Sequence, residues 1–190
     1  MSQIMLIVMK QIVDRVFLGD ASDARDFIKR DYFTSAWTNP GNITGVINCS
    51  GFNPRAGKPQ VENYYVPDAR ARLGIPFDIE YYWLNLTENS HIDRETAGKV
   101  VDFIDGHLAR GGNVLVHCVA GLQRSPSIVL AYLLSKGTPF MDGLHLIEEK
   151  KGGSIYPTMP MLRSIAKLHL DGRRVMEKDI ARFTRMYRQA

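Results

Sequence analysis

The chain has 190 residues, of which 45% are hydrophobic and 23% are charged. This composition predicts one globular domain with a good core and excludes a disordered chain. Two cysteines exclude a disulfide scaffold, and a net charge of +4 is too modest to indicate nucleic-acid binding.

The first apolar segment, Met5–Met9, is much shorter than the roughly 20 residues that span a bilayer, so we expect no membrane partner. We predict an extra edge strand or a loosely packed arm there, within an N-terminal extension over residues 1–10. A strand predicted over Ile43–Asn48 is followed by Cys49, for which a core position is the simplest interpretation. The long connection over residues 53–72 is either a solvated insertion or a surface that receives an anionic peptide.

A helix is predicted in the middle of the chain from apolar residues at helical spacing. Ser90 to Asp93 resembles a capping box ahead of that helix. The apolar positions are Ala97, Val100, Val101, Ile104 and Leu108. Asp93 therefore has a simple structural interpretation at the helix start.

The segment around residue 118 predicts a strand, a short loop and a helix. Asn113–Val116 is a branched apolar run typical of a buried strand, and Ser125-Pro126-Ser127 opens a helical pattern that Gly137 ends. A loop that enters a helix N-terminus directs backbone N–H groups and the helix dipole toward an anion. The sequence therefore predicts an anion site between residues 117 and 125.

The side chains of this loop have the chemistry of a nucleophilic phosphate site. The same donors that would bind phosphate would stabilise a thiolate at Cys118. Arg124 can hold two phosphate oxygens with its planar fork, and Gly121 permits a tight turn. The Ser125 hydroxyl can assist departure of the sulfur. A buried, inert cysteine would leave the other three residues unexplained.

His117, Cys118, five further residues, Arg124 and Ser125 together resemble the signature of the protein tyrosine phosphatases, and the short chain resembles their dual-specificity branch. The order of the remaining elements is similar to that family in five segments: Val16–Ala21, Ile43–Asn48, Tyr82–Leu86, Val101–Asp105 and Pro126–Leu133. The resemblance implies an α/β fold, with a twisted, mainly parallel sheet of about five strands flanked by helices. It implies a catalytic domain over residues 11–170, followed by a basic amphipathic helix over residues 171–190.

The resemblance also implies a role for each residue of the loop. Cys118 attacks phosphorus and forms a phosphocysteine, while His117 orients the loop without attacking. The phosphate is held by Val119, Ala120, Gly121, Leu122, Gln123 and Arg124. Some family members trap the oxidised nucleophile with a second thiol, and Cys49 is the candidate for that role.

Two positions depart from the family pattern. Thr87 stands where the family has its proton-donating Asp, in what we call the acid loop, between the strand that ends near Leu86 and the next helix. Glu88 is the preferred replacement, Asp93 is an alternative, and a site without a general acid is a third possibility. Thr158 stands where the family often has an Asn that braces the phosphate loop, and a plain helix N-cap is an equal interpretation.

We therefore expect a protein phosphatase that acts on phosphotyrosine and on phosphoserine or phosphothreonine. It would need no cofactor or metal, and the five histidines have no metal-ligand spacing. A working thiolate favours the cytoplasm, with the nucleus as an alternative. An RNA 5′-triphosphatase or another non-protein phosphatase of the superfamily stays open, as does a non-catalytic phosphoprotein-binding module. The sequence indicates neither the substrate nor the oligomeric state.

Overall fold

The computed structural model describes residues 9–51 and 64–169, without the side chain of His169. Three sequence interpretations therefore lie largely or wholly outside the described residues. They are the N-terminal extension over residues 1–10, the connection over residues 53–72 and the basic helix over residues 171–190. Within the described ranges, no helix is both long and apolar enough to cross a membrane.

The described chain contains seven strands, all before residue 118, and six helices, the last three of which follow one another. In order they are β1 (Lys10–Val13), β2 (Val16–Gly19), α1 (Ala21–Asp26), β3 (Lys29–Arg30), β4 (Trp37–Thr38), β5 (Ile43–Asn48), α2 (Pro67–Leu73), β6 (Glu80–Trp83), α3 (Arg94–Ala109), β7 (Asn113–His117), α4 (Arg124–Ser135), α5 (Phe140–Lys151) and α6 (Met159–His169).

The central sheet of the described chain has five strands in the order β1-β2-β7-β5-β6. Strands β2, β7, β5 and β6 are parallel, and only β1 runs antiparallel, beside β2. The predicted α/β class with a mainly parallel sheet is confirmed. Because four strands run the same way, their carboxyl ends meet at one edge, where ligands bind in open α/β sheets.

Both faces of the sheet are buried, as parallel strands require. In β7, Val114 and Val116 pack with helices α3 to α6, while Leu115 between them packs with α1 and the residues around Tyr65. Helix α4 is the most enclosed helix, since its residues from Ser125 to Leu134 are all buried. It therefore holds the loop that precedes it against a rigid core.

One strand boundary differs from the sequence expectation. The strand before the acid loop is Glu80–Trp83 instead of Tyr82–Leu86, because its parallel pairing with β5 ends at Trp83. The acid loop of the structure therefore covers residues 84–90. The described edge strand is Lys10–Val13, and the predicted strand or arm at Met5–Met9 lies almost wholly outside the described residues.

The capping box at Ser90 is wrong. Asp93 itself is the N-cap of α3, and its side chain accepts a hydrogen bond from Thr96 N at 2.7 Å. Ser90 Oγ instead accepts a bond from Thr87 N at 2.8 Å within the acid loop. The helix therefore begins three residues later than a cap at Ser90 would place it.

The described end of the 53–72 connection gives Arg70 a structural role. Its guanidinium donates to the carbonyl oxygens of Phe77 at 2.6 Å and Ile79 at 2.9 Å. These bonds fasten α2 to the chain that enters β6. Arg70 is thus engaged by backbone and is not a free cation for an anionic peptide.

Candidate active site

The phosphate loop, residues 118–123, leaves β7 at the carboxyl edge of the sheet and enters α4. Gly121 has a φ of +67°, and a Cβ there would lie 3.1 Å from Gly19 O, so this turn requires glycine. Ala21 N donates to Val119 O at 3.0 Å on one side, and Tyr156 N donates to Leu122 O at 2.7 Å on the other. The loop is therefore fixed from both flanks.

The thiol of Cys118 lies at the floor of this loop. Burial alone raises the pKa of the thiol, but hydrogen bonds from Ser125 Oγ and from the amides of Ser125 and Gly121 outweigh burial, with help from the charge of Arg124. The net result is a pKa below the ordinary thiol value. Ser125 Oγ lies 3.2 Å from Cys118 Sγ. The arrangement favours a thiolate nucleophile.

The guanidinium of Arg124 is bound at one end and unsatisfied at the other. Its Nη1 donates to Leu86 O at 3.3 Å. This hydrogen bond connects the start of α4, directly after the phosphate loop, to the acid loop. Its Nε is buried and has no hydrogen-bond partner within the part of the chain that the structure describes. A buried donor of this kind is costly unless a ligand satisfies it, and a phosphate oxygen would do so.

His117 is held in the core behind the loop. Its Nδ1 lies 3.2 Å from Cys118 O, a carbonyl that can only accept, so we assign the ring proton to Nδ1. Nε2 then accepts a hydrogen bond from Tyr65 OH at 3.1 Å. Burial lowers the pKa of His117 to about 4, so the imidazole is neutral at physiological pH. These contacts give His117 a fixed, uncharged position beside Cys118.

A cavity of about 240 Å³ opens above the loop. It is lined by Cys118, Ala120, Leu122, Gln123, Arg124 and Tyr156. Arg124 is the only cation among these residues. Five of the predicted loop residues thus line one cavity, together with Tyr156, for which no role is predicted from the sequence. Val119, Gly121 and the predicted acid Glu88 are not among the lining residues.

The acid loop presents its side chains to solvent. Thr87 and Glu88 are exposed, whereas Leu86 beside them is buried. Asp93 is separated from this loop by its role as the α3 cap, and the hydrogen bonds from the Thr96 amide and side chain hold its pKa below the usual value. A low pKa is the opposite of what a general acid needs. Of the two carboxylate candidates for the general acid, Glu88 lies in the acid loop and Asp93 does not.

The hydroxyl of Thr158 contacts the acid loop, whereas the resemblance predicts that it braces the phosphate loop. Its hydroxyl donates to Glu88 O at 2.7 Å, across 70 positions of sequence. The bracing bond to the phosphate loop comes from the Tyr156 amide, two residues earlier. The sequence could not distinguish these two neighbours, because a backbone amide contributes no side-chain signature.

Cys49 lies beside the catalytic segment, as the parallel strand order predicts. It follows β5, and its amide donates to His117 O at 2.8 Å. Both cysteines are free and buried. Burial first, and then the charge of Cys118, raise the pKa of the Cys49 thiol well above its ordinary value.

Comparison with known proteins agrees with this geometry. Residues 31–169 match the family model described as dual specificity phosphatase, catalytic domain. The chain belongs to the dual specificity phosphatase family. The family match begins after β1 and β2, although both strands belong to the central sheet. The limits of 11–170 for the catalytic domain stay a prediction.

The share of each relative's length that this chain covers differs widely. It is 30% identical over 156 residues to human dual specificity protein phosphatase 13B, which is 80% of this chain and 68% of that protein. It is 46% identical over 82 residues to dual specificity protein phosphatase 1 of Arabidopsis thaliana, covering 42% of this chain and 41% of the relative. Among eight curated relatives the share matched ranges from 10% to 68%. The likeness therefore concerns only part of each of those proteins.

The fold of the dual specificity phosphatase domain also matches solved structures. The crystal structure of human tyrosine phosphatase-like serine/threonine/tyrosine-interacting protein aligns with a TM-score of 0.62 at 24% identity. The alignment covers 84% of this chain and 93% of that one. At this identity the likeness concerns the fold alone.

Proposed function

We propose that this protein is a cysteine-dependent phosphatase that hydrolyses phosphate esters of tyrosine, serine and threonine on proteins. The observation that carries the proposal is the phosphate loop itself. A thiol with a lowered pKa, backbone amides and the unsatisfied Nε of Arg124 converge where β7 meets α4. Membership of the dual specificity phosphatase family supports protein substrates.

The reaction proceeds in two displacements. The Cys118 thiolate attacks phosphorus in line while the loop amides and Arg124 hold the equatorial oxygens. The ester oxygen leaves with a proton, and a phosphocysteine forms. Water then attacks phosphorus, the product phosphate departs, and the thiolate returns, stabilised by the hydrogen bond from Ser125 Oγ.

Glu88 is the proposed proton donor to the leaving oxygen. It lies in the acid loop that Arg124 contacts through Leu86 O, and its own carbonyl is fixed by Thr158. Asp93 is engaged as the α3 cap. The neighbouring Thr87 has no proton of suitable acidity to give.

The side chains of the phosphate loop argue against one class of alternative substrate. A phosphoinositide phosphatase would be expected to place Lys or Arg inside the loop, and residues 119–123 are Val, Ala, Gly, Leu and Gln. An RNA 5′-triphosphatase and a non-catalytic binding module both stay as outcomes of the test below. The proposed location is the cytoplasm or nucleus, because the thiolate must stay reduced.

The deciding test is hydrolysis of p-nitrophenyl phosphate across pH in the presence of a metal chelator. We expect turnover by the wild type, an acidic limb with a pKa below about 8.5, and complete loss in Cys118→Ser. Phosphotyrosine and phosphoserine peptides and a 5′-triphosphorylated RNA then separate the substrate classes. Phosphopeptide binding without turnover by the folded wild type would identify a phosphate reader instead of a hydrolase.

A redox role of Cys49 is a separate proposal that depends on the same nucleophile. Peroxide oxidises the Cys118 thiolate to a sulfenic acid, and Cys49 displaces water from it to form a disulfide. Mass spectrometry after mild peroxide treatment should detect the Cys49–Cys118 link. Sulfonic acid at Cys118 with Cys49 unmodified would exclude the proposal.

A further inference from the structure

The mouth of the active-site cavity contains an aromatic ring that the mechanism above leaves unused. Tyr156 lines the cavity with Cys118 and Arg124. This residue is 45% exposed, although Ile155 before it and Pro157 after it are buried. The chain is therefore anchored on both sides of Tyr156 while the tyrosine itself stays at the surface of the cavity.

The position of Tyr156 is tied to the catalytic loop. Its amide donates to Leu122 O at 2.7 Å, so its backbone moves with the phosphate loop. The preceding amide, Ile155 N, donates to Glu148 Oε1 of α5 at 3.3 Å. These two bonds hold the backbone of Tyr156 at a constant place relative to the phosphate loop, so its ring extends from a fixed point beside the cavity.

The direction of attack determines what meets this ring. In an in-line displacement the leaving oxygen points away from Cys118 Sγ, so the leaving group occupies the mouth of the cavity. Much of the lining is apolar, since Ala120 and Leu122 line the cavity together with Tyr156. A phenyl ring on the leaving oxygen would fill this position, whereas a seryl ester would place only a methylene there.

We propose that Tyr156 is a specificity-determining residue whose ring packs against the aryl group of phosphotyrosine. It gives the protein a preference for phosphotyrosine over phosphoserine and phosphothreonine. The inference rests on the phosphatase function proposed above and specifies the substrate class of that same site. An aromatic pair of this kind changes affinity about 2- to 10-fold.

The test uses two peptides of one sequence that carry either phosphotyrosine or phosphoserine. We expect Tyr156→Ala to lower kcat/KM for the phosphotyrosine peptide about 2- to 10-fold, mainly through KM, and to leave the phosphoserine peptide unchanged. Tyr156→Phe should behave as the wild type, because the ring is kept. Tyr32→Ala is the matched control, since Tyr32 is a 91% exposed tyrosine outside the cavity. Equal losses with both peptides, or no loss, would overturn the proposal.

A binding measurement separates this inference from the phosphatase function. Calorimetry with Cys118→Ser protein should show weaker phosphotyrosine peptide binding after Tyr156→Ala, and no change for the phosphoserine peptide. If the wild type hydrolyses neither peptide but this difference in binding is present, the proposed phosphatase function is wrong and the proposed ring contact is confirmed. If Tyr156→Ala changes neither affinity, or if neither peptide binds, the ring contact is wrong. Thermal unfolding of each variant confirms that the fold is retained.

Discussion

The phosphate loop and the acid loop serve one reaction but are built in opposite ways. The phosphate loop is enclosed by β2, α4 and the residues before α6, and its shape is fixed by backbone hydrogen bonds to Val119 and Leu122. The acid loop is exposed at Thr87 and Glu88, and its carbonyl oxygens are held by side chains from elsewhere, Arg124 and Thr158. The comparison indicates that the environment that lowers the pKa of Cys118 is built by the loop and helix themselves, whereas the proposed proton donation would depend on two long-range side-chain contacts.

Replacement of Arg124 should have the largest effect among the variants that keep the nucleophile. Arg124→Lys keeps the positive charge but loses the fork that holds two phosphate oxygens and the bond to Leu86 O. We expect kcat/KM to fall about 10²- to 10³-fold, in the range seen when a preorganised donor to a transition state is lost. Arg110→Lys, at a surface pair with Glu80, is the control and should have no effect. A loss below tenfold would mean that charge alone is sufficient.

Glu88→Gln tests whether the exposed loop supplies the proton. General-acid help contributes about 10²- to 10⁴-fold, and only poor leaving groups need it. We therefore expect a loss of about 10²-fold on an alkyl phosphate and little change on p-nitrophenyl phosphate. Glu95→Gln, another exposed glutamate, is the control. Equal losses on both substrates would remove Glu88 from the role and favour a site without a general acid.

The contrast between the loops also explains which parts could be predicted from sequence. The phosphate loop is predictable because Gly121, Arg124 and Ser125 occupy fixed positions after a branched apolar strand, and each residue type has a local physical reason. The acid loop has no such pattern, and the strand before it ends at Trp83, earlier than predicted, because pairing with β5 determines its end. Strand ends depend on a partner that a single sequence does not reveal.

Ser125→Ala should give an intermediate effect and change the pH profile. Loss of a hydrogen bond to a charged sulfur costs about 1.5–3 kcal/mol, so we expect the thiolate-release step to slow about 10- to 100-fold. The Cys118 thiolate also loses a stabilising donor, so its pKa rises. Because the thiolate is the active form, the acidic limb of kcat/KM moves to higher pH. Ser135→Ala, at the far end of α4, should leave the limb in place.

Tyr65 and Thr158 illustrate contacts that sequence reasoning did not identify. Tyr65 OH reaches His117 Nε2 across 52 positions, and Thr158 reaches Glu88 O across 70. Nothing adjacent in the chain marks either hydroxyl, since Tyr65 lies within the long connection over residues 53–72 and Thr158 has a plausible local role as a helix cap. Tertiary packing alone brings each one to its partner.

Thr158→Val should have the smallest effect, and it tests the acid loop directly. Valine keeps the branched shape but removes the hydroxyl that donates to Glu88 O. A neutral hydrogen bond contributes about 0.5–1.5 kcal/mol, so we expect kcat on an alkyl phosphate to fall about 2- to 10-fold as the loop loses its fixed position. Turnover of p-nitrophenyl phosphate should stay constant, because that leaving group needs no proton. Thr38→Val removes a comparable bond to Lys29 O in the β3–β4 hairpin and should change neither rate. In the Glu88→Gln background Thr158→Val should add nothing, since a loop without its acid no longer depends on its alignment; a further loss there would assign Thr158 to another function.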